Sequence, residues 1–88
     1  MSDYRRYKVE GGTFFFTVVA HSRARLFDDE FARSLLGEKL RQCQSERPFE
    51  INAVILLPEH LHAIWTLPPG DADYSGRWGW IKKEFTKD

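Results

Sequence analysis

Sulfur, net charge and long apolar runs are what this 88-residue chain has least of. Its one cysteine, Cys43, excludes an internal disulfide and is left to pack as a small apolar group on a helix face. No apolar run approaches the roughly 20 residues that a membrane-crossing helix needs. The start, Met1 to Arg6, has no apolar core of the kind a secretory signal carries, so the expectation is a cytoplasmic protein without a membrane partner. Thirteen basic residues are balanced by 13 acidic ones, so bulk charge does not advertise a nucleic-acid partner. Internal repeats and low-complexity tracts are absent, and a chain this short holds one small core, not two.

What is present is aromatic and β-branched. Hydrophobic residues make up 42% of the chain and aromatics 15%, which excludes a disordered segment. Thr13 to Ala20 is dense in both classes and predicts a first strand entered through the Gly11-Gly12 turn. Phe14, Phe16 and Val18 share one face and Phe15, Thr17 and Val19 the other, and apolar bulk on both predicts a central strand. Asp28, Asp29 and Glu30 open a helix, because carboxylates satisfy its free amides and favour the positive end of its dipole. Phe31, Leu35, Leu36, Leu40 and Cys43 then form its core-facing stripe, and Pro48 bars its continuation. Ile51 to Leu57 reads as a second strand. Only Pro58-Glu59 separates it from a third, so the two form an antiparallel hairpin. A Pro, Gly, Asp and Ser-rich loop, residues 68–76, leads to a second helix with Ser75 as its cap and Trp78, Ile81 and Phe85 as its buried stripe. Trp80 falls off that stripe, either a partial contact or a ring exposed for stacking.

The chemistry sits in the third strand. His60 and His62 are two residues apart, so both project from one face of it while Leu61, Ala63 and Trp65 share the other. Neutral imidazole is a common ligand for divalent transition metals, and two from one rigid strand supply half of a site. A third ligand must come from elsewhere. His21 follows the first strand and reaches the pair only if the sheet register allows it. Glu59 is either a turn residue facing water or a group that orients or binds the metal beside His60. Basic residues cluster locally despite the zero net charge: Arg5, Arg6 and Lys8 before the first strand, Arg23 and Arg25 after it, and Arg77, Lys82 and Lys83 towards the end. These eight are the candidate phosphate contacts.

Several segments in the same order carry a resemblance. They are Tyr4-Arg5-Arg6-Tyr7, Gly11-Gly12-Thr13-Phe14-Phe15-Phe16-Thr17-Val18-Val19, and Leu57-Pro58-Glu59-His60-Leu61-His62-Ala63-Ile64-Trp65-Thr66-Leu67-Pro68. Gly70-Asp71-Ala72-Asp73-Tyr74-Ser75, Arg77-Trp78 and Ile81-Lys82-Lys83-Glu84-Phe85-Thr86 complete them. Together they resemble the single-tyrosine (HUH) transposases of the IS200 type, and more closely their REP-associated tyrosine transposase relatives. The resemblance implies an α+β, ferredoxin-like β-α-β-β-α order with an antiparallel sheet, lacking its last strand and the C-terminal catalytic helix. Residues 1–88 would then be a single N-terminal part of an IS200-like transposase domain. It further implies a divalent metal, Mg²⁺ or Mn²⁺, at His60 and His62, and single-stranded or hairpin DNA as partner. The implied reaction cuts and rejoins DNA through a 5′-phosphotyrosine. The family's nucleophilic tyrosine lies in a later helix than any in this sequence, and its third metal ligand about one helical turn beyond it. Tyr4, Tyr7 and Tyr74 do not sit in that motif, so no catalytic residue is identified. The alternative is a DNA-binding module that cannot cut, or a structural remnant. An open three-strand sheet also predicts a homodimer, formed by exchange of an element in one variant of that expectation.

Overall fold

The aromatic run after Gly12 is the first strand, β1 (Thr13–Val19), of the computed structural model, which describes residues 9–87. Gly11 enters it at φ 70°, a left-handed value glycine takes without penalty, and its amide donates to the Asp71 carbonyl. Two short 3₁₀ turns, His21–Arg23 and Leu26–Asp28, lead to helix α1 (Glu30–Glu46). Asp29 caps that helix, its side chain accepting from the Phe31 amide. Strands β2 (Glu50–Leu57) and β3 (His60–Thr66) follow as an antiparallel hairpin across Pro58-Glu59, and helix α2 (Tyr74–Lys87) ends the described chain. The β-α-β-β-α order is the expected one, an α+β arrangement that the ferredoxin-like plan shares over its first five elements.

Both helices lie on one face of the sheet. Phe14, Phe16, Leu61, Ala63 and Trp65 point into that layer and meet Leu36, Leu40 and Cys43 of α1 with Trp78 and Ile81 of α2. Trp65 is fully buried, stacked on Trp78 with ring centroids 4.4 Å apart and edge-on to Phe16. Burial also pushes the Cys43 thiol up from its ordinary range, as fits a packing residue.

Four expectations are corrected here. The sheet order is β1-β3-β2, so the histidine strand is central among the described residues and β1 has one neighbour. The apolar bulk on the second face of β1 was not a sign of a second covering layer. Phe31 is 66% exposed and Ala32 takes the buried place, because capping at Asp29 sets the phase of the helix. At α2 the cap is Asp73, whose carboxylate accepts from the Gly76 amide; Ser75 already lies inside the helix. Tyr74 is helical rather than in the loop, its ring against Phe14 and Phe16 at 5.0 and 5.4 Å.

Candidate functional site

Backbone pairing sets the site. In the β1–β3 ladder His60 faces Val19 and His62 faces Thr17, while in the β2–β3 ladder the same residues face Leu57 and Ile55. Strand alternation puts all six side chains on the face that, among the described residues, carries no helix. The imidazoles of His60 and His62 are neighbours there, ring centroids 4.9 Å apart and nearly perpendicular. The shared face read from the sequence is therefore realised on the central strand of the described sheet.

Each histidine has a distinct second partner. Nδ1 of His62 lies 3.1 Å from Oγ1 of Thr17, and its ring stacks on Phe15 at 5.6 Å with 20° between the planes. Nδ1 of His60 is buried without a hydrogen-bond partner, and the nearest charge is the Glu59 carboxylate at 3.9 Å, beyond hydrogen-bond range. A buried, unpaired polar nitrogen is costly to keep, so its presence asks for a ligand or a bridging group. The other Glu59 oxygen is 4.0 Å from the Arg23 guanidinium. Arg23, Glu59 and His60 thus stand in line at the start of β3, with the carboxylate between the guanidinium and the imidazole. Ser22 and Arg23 both have positive φ, 55° and 54°, a backbone strain of roughly 1–2 kcal/mol per residue that aims Arg23 at this edge.

The chemistry of the donor set fits a divalent metal in part. Two imidazoles on one face are suitable donors, but among the described residues no group of three His, Cys, Asp or Glu side chains is placed to hold an ion. Glu59 lies beside the pair, in the two-residue turn that leads into β3. His21 is exposed in the turn after β1, where with Leu26, Phe27, Trp78 and Phe85 it lines an apolar pocket of about 320 Å³ at the end of the strand.

The eight basic candidates separate. Arg23 and Arg25 are exposed in the turn at the histidine end of β1, Arg25 bonded to Asp28 at 2.8 Å. Lys82 and Lys83 are exposed on α2, in the helix layer. Arg5, Arg6 and Lys8 lie outside the described residues. Arg77 is corrected: it is 1% exposed and cannot meet DNA. Its five N–H groups go to the Arg47, Pro48 and Asp73 carbonyls and to both oxygens of Asp71. Arg77 pins the start of α2 to the end of α1, and its bonds hold the Asp71 carboxyl down at about 2. The Asp73 carboxyl is also lowered, first by the Gly76 amide and then by Arg47, with which it pairs. Thr17 and Phe15 are the site residues that sequence reasoning missed. Period-2 alternation names their face, but only the strand register brings that face to the histidines.

A scan against family models finds no match. The chain is 51% identical to a REP-associated tyrosine transposase of Escherichia coli K12 over 98% of its length and 52% of that protein's. It is 33% identical to a Haemophilus influenzae protein of the same description, over 99% of its length and 49% of the relative's. It therefore spans about half the length of the curated relatives it matches. Among solved structures, a REP-associated tyrosine transposase bound to a REP hairpin superposes with a TM-score of 0.86 at 50% identity, covering 99% of this chain and 52% of that one. A Deinococcus radiodurans protein described as a transposase shares the fold, with a TM-score of 0.68 at 20% identity over 99% of this chain and 68% of its own.

Proposed function

We propose, from the premise that this chain is homologous to the REP-associated tyrosine transposases of the IS200 type, that it binds hairpin or single-stranded DNA on the open face of its sheet. On the same reading, His60 and His62 are its contribution to a Mg²⁺ or Mn²⁺ site in DNA transposition. One observation carries the proposal. Two imidazoles stand side by side on a face that no described helix covers, in a chain whose 50% identical structural neighbour is described as bound to a REP hairpin.

The side chains divide the work. His62 donates Nδ1–H to the Thr17 hydroxyl in this reading, which fixes its tautomer and leaves Nε2 with a lone pair for a ligand. Glu59 stands beside Nδ1 of His60 and would orient that ring once a small rotation closes the 3.9 Å gap. A bound ion would supply Lewis-acid polarisation of a phosphate oxygen. Arg23 and Arg25 would meet the flanking phosphates, as would Lys82 and Lys83 where the strand wraps onto the helix layer; Arg5, Arg6 and Lys8 belong to the same proposal. Cutting further requires a tyrosine oxygen to attack phosphorus, giving up its proton and releasing a 3′-hydroxyl, with the 5′-phosphate left on the phenol. Tyr74, packed on Phe14 and Phe16 in the helix layer, is not placed for that step. That observation favours the second reading, of binding without cutting, for the described part of the chain. The one-neighbour edge of β1 belongs to the proposal as the seam of a homodimer.

The test is Mn²⁺ uptake followed by the EPR signal of free Mn²⁺, with a labelled hairpin DNA run in parallel on a denaturing gel. Wild type is expected to deplete free Mn²⁺ and His60→Ala/His62→Ala is not. Equal uptake by both overturns the metal assignment. A metal-dependent covalent adduct on the gel would restore cutting to this chain and overturn the binding-only reading.

A further inference from the structure

We propose that Glu59 is a positioning residue for His60 that answers to DNA: a phosphate taken up by the Arg23 guanidinium releases the Glu59 carboxylate to close on Nδ1 of His60. The inference rests on the nucleic-acid and metal reading above and adds to it the event that sets the second imidazole.

The argument starts from an asymmetry between the histidines. Nδ1 of His62 is 3.1 Å from the Thr17 hydroxyl, so that ring is already oriented. Nδ1 of His60 is buried without a hydrogen bond, and Oε1 of Glu59 is 3.9 Å away. The other oxygen of the same carboxylate, Oε2, is 4.0 Å from the Arg23 guanidinium. Both separations exceed hydrogen-bond length by about 1 Å. Glu59 is thus held between two donors and closed on neither.

The backbone fixes all three residues while leaving that carboxylate its side-chain rotation. The Ala20 amide donates to the Glu59 carbonyl at 2.8 Å, and the Ala20 carbonyl accepts from the Arg23 amide at 2.9 Å. A single residue therefore clamps Arg23 to Glu59 through the main chain. The Phe27 amide ties the same turn to the Pro58 carbonyl at 2.9 Å. The Arg23 side chain is 67% exposed, so a phosphate can reach it.

Electrostatics gives the direction of the movement. Without DNA the full charge of the guanidinium outcompetes an imidazole N–H and holds the carboxylate back. A phosphate on Arg23 neutralises that pull and repels Glu59, whose other donor is Nδ1–H of His60. The closed bond satisfies the orphaned nitrogen, keeps its proton on Nδ1 and leaves Nε2 with a lone pair for a ligand. Both imidazoles are then set only when the DNA backbone is in place, and the linkage works equally in reverse. The rival role for Glu59 is that of a direct ligand, and among the described residues no group of three His, Cys, Asp or Glu side chains is placed to hold an ion.

The test has two readouts on the whole chain. The first is ¹⁵N NMR of labelled histidine without metal, at about pH 8 where free imidazole is neutral. Adding a single-stranded oligonucleotide should move Nδ1 of His60 to the protonated, pyrrole-type position in wild type. Arg23→Met should reach that position without DNA, and Glu59→Met should not reach it at all. The second readout is Mn²⁺ affinity without DNA, from the EPR signal of free Mn²⁺. Arg23→Met should bind about fivefold tighter than wild type and Glu59→Met about tenfold weaker. In the Glu59→Met background Arg23→Met should add nothing. Equal tightening in both backgrounds is the plain effect of removing a positive charge and overturns the proposal. A His60 resonance that a bound oligonucleotide leaves unmoved in wild type overturns it too, with the metal reading intact. No Mn²⁺ uptake by wild type, with the His60 shift present, supports the positioning role and overturns the metal reading. No oligonucleotide binding overturns both.

Discussion

Under the helices, Phe14, Phe16, Leu61, Ala63 and Trp65 are sealed from water, while on the opposite face of the same strands Phe15, His60, His62 and Ile55 are not. The residues alternate one by one along β1 and β3, and several are of the same type. Side-chain chemistry therefore does not separate the faces; the covering layer does. Both helices bury their stripes on one side of the sheet, and the residues on that side carry the fold. The other side is relieved of that duty. It can hold exposed side chains such as Ile55 at little cost to stability, whereas the buried Nδ1 of His60 is the one group there that is costly to leave unpaired.

The contrast can be broken by substitution, and the largest effects should all lie on the covered side. Trp65→Ala removes a fully buried ring stacked on Trp78 and should cost about 3–5 kcal/mol, read from the urea midpoint. Phe15→Ala, at the same element type and depth in the sequence, should cost less than about 1 kcal/mol. Similar losses for the two would erase the distinction. Arg77→Met leaves Asp71 and three backbone carbonyls without their partner and should cost about 3–5 kcal/mol, whereas Arg23→Ala in the exposed turn should change stability by less than about 0.5 kcal/mol.

Acid sharpens the comparison next. The Asp71 carboxyl is held at about 2, chiefly by the Arg77 bonds and then by the Asp73 amide. Its folded value is thus below the ordinary carboxylate value of about 4. The stability it contributes is complete above that ordinary value and is lost as pH falls through about 2. Asp73, lowered by the Gly76 amide and Arg47, adds in the same direction. Thermal midpoints should therefore fall between about pH 4 and pH 2, and Asp71→Asn should flatten that slope. An unchanged slope in Asp71→Asn would remove the Arg77–Asp71 pair from the account. The smallest expected effect is that of His60→Ala/His62→Ala, whose thermal midpoint without metal should stay near that of wild type. A large drop would mean that the pair holds the fold rather than a ligand.

The same contrast explains what the sequence could show. The strand of His60 to Thr66, the two-residue hairpin at Pro58-Glu59 and the Asp29-led helix follow from local rules: alternation, turn length and capping. The shared face of His60 and His62 is local too, since period 2 fixes it within one strand. Apart from the helix phase at Phe31 and the start of α2 at Tyr74 and Ser75, what failed was non-local. Apolar residues on both faces of β1 cannot distinguish a central strand from a strand with one neighbour whose second face no described helix covers. Arg77 looked like a phosphate contact because nothing near it in sequence names its partners. Two of its acceptors, the Arg47 and Pro48 carbonyls, lie about 30 residues away at the end of another helix. The tie between Thr17 and His62 likewise depends on a ladder register joining residues 45 apart. The resemblance to single-tyrosine transposases, by contrast, was legible in its ordered motifs and stands as homology over nearly the whole chain.

The central claim is that the open face meets DNA through the histidine pair. It is tested most directly by fluorescence anisotropy of a labelled hairpin with a single-stranded tail, titrated with wild type and with His60→Ala/His62→Ala, each with Mn²⁺ and with chelator. The account predicts that Mn²⁺ tightens binding of wild type and leaves the double variant unchanged. The same Mn²⁺ response in both proteins would contradict it.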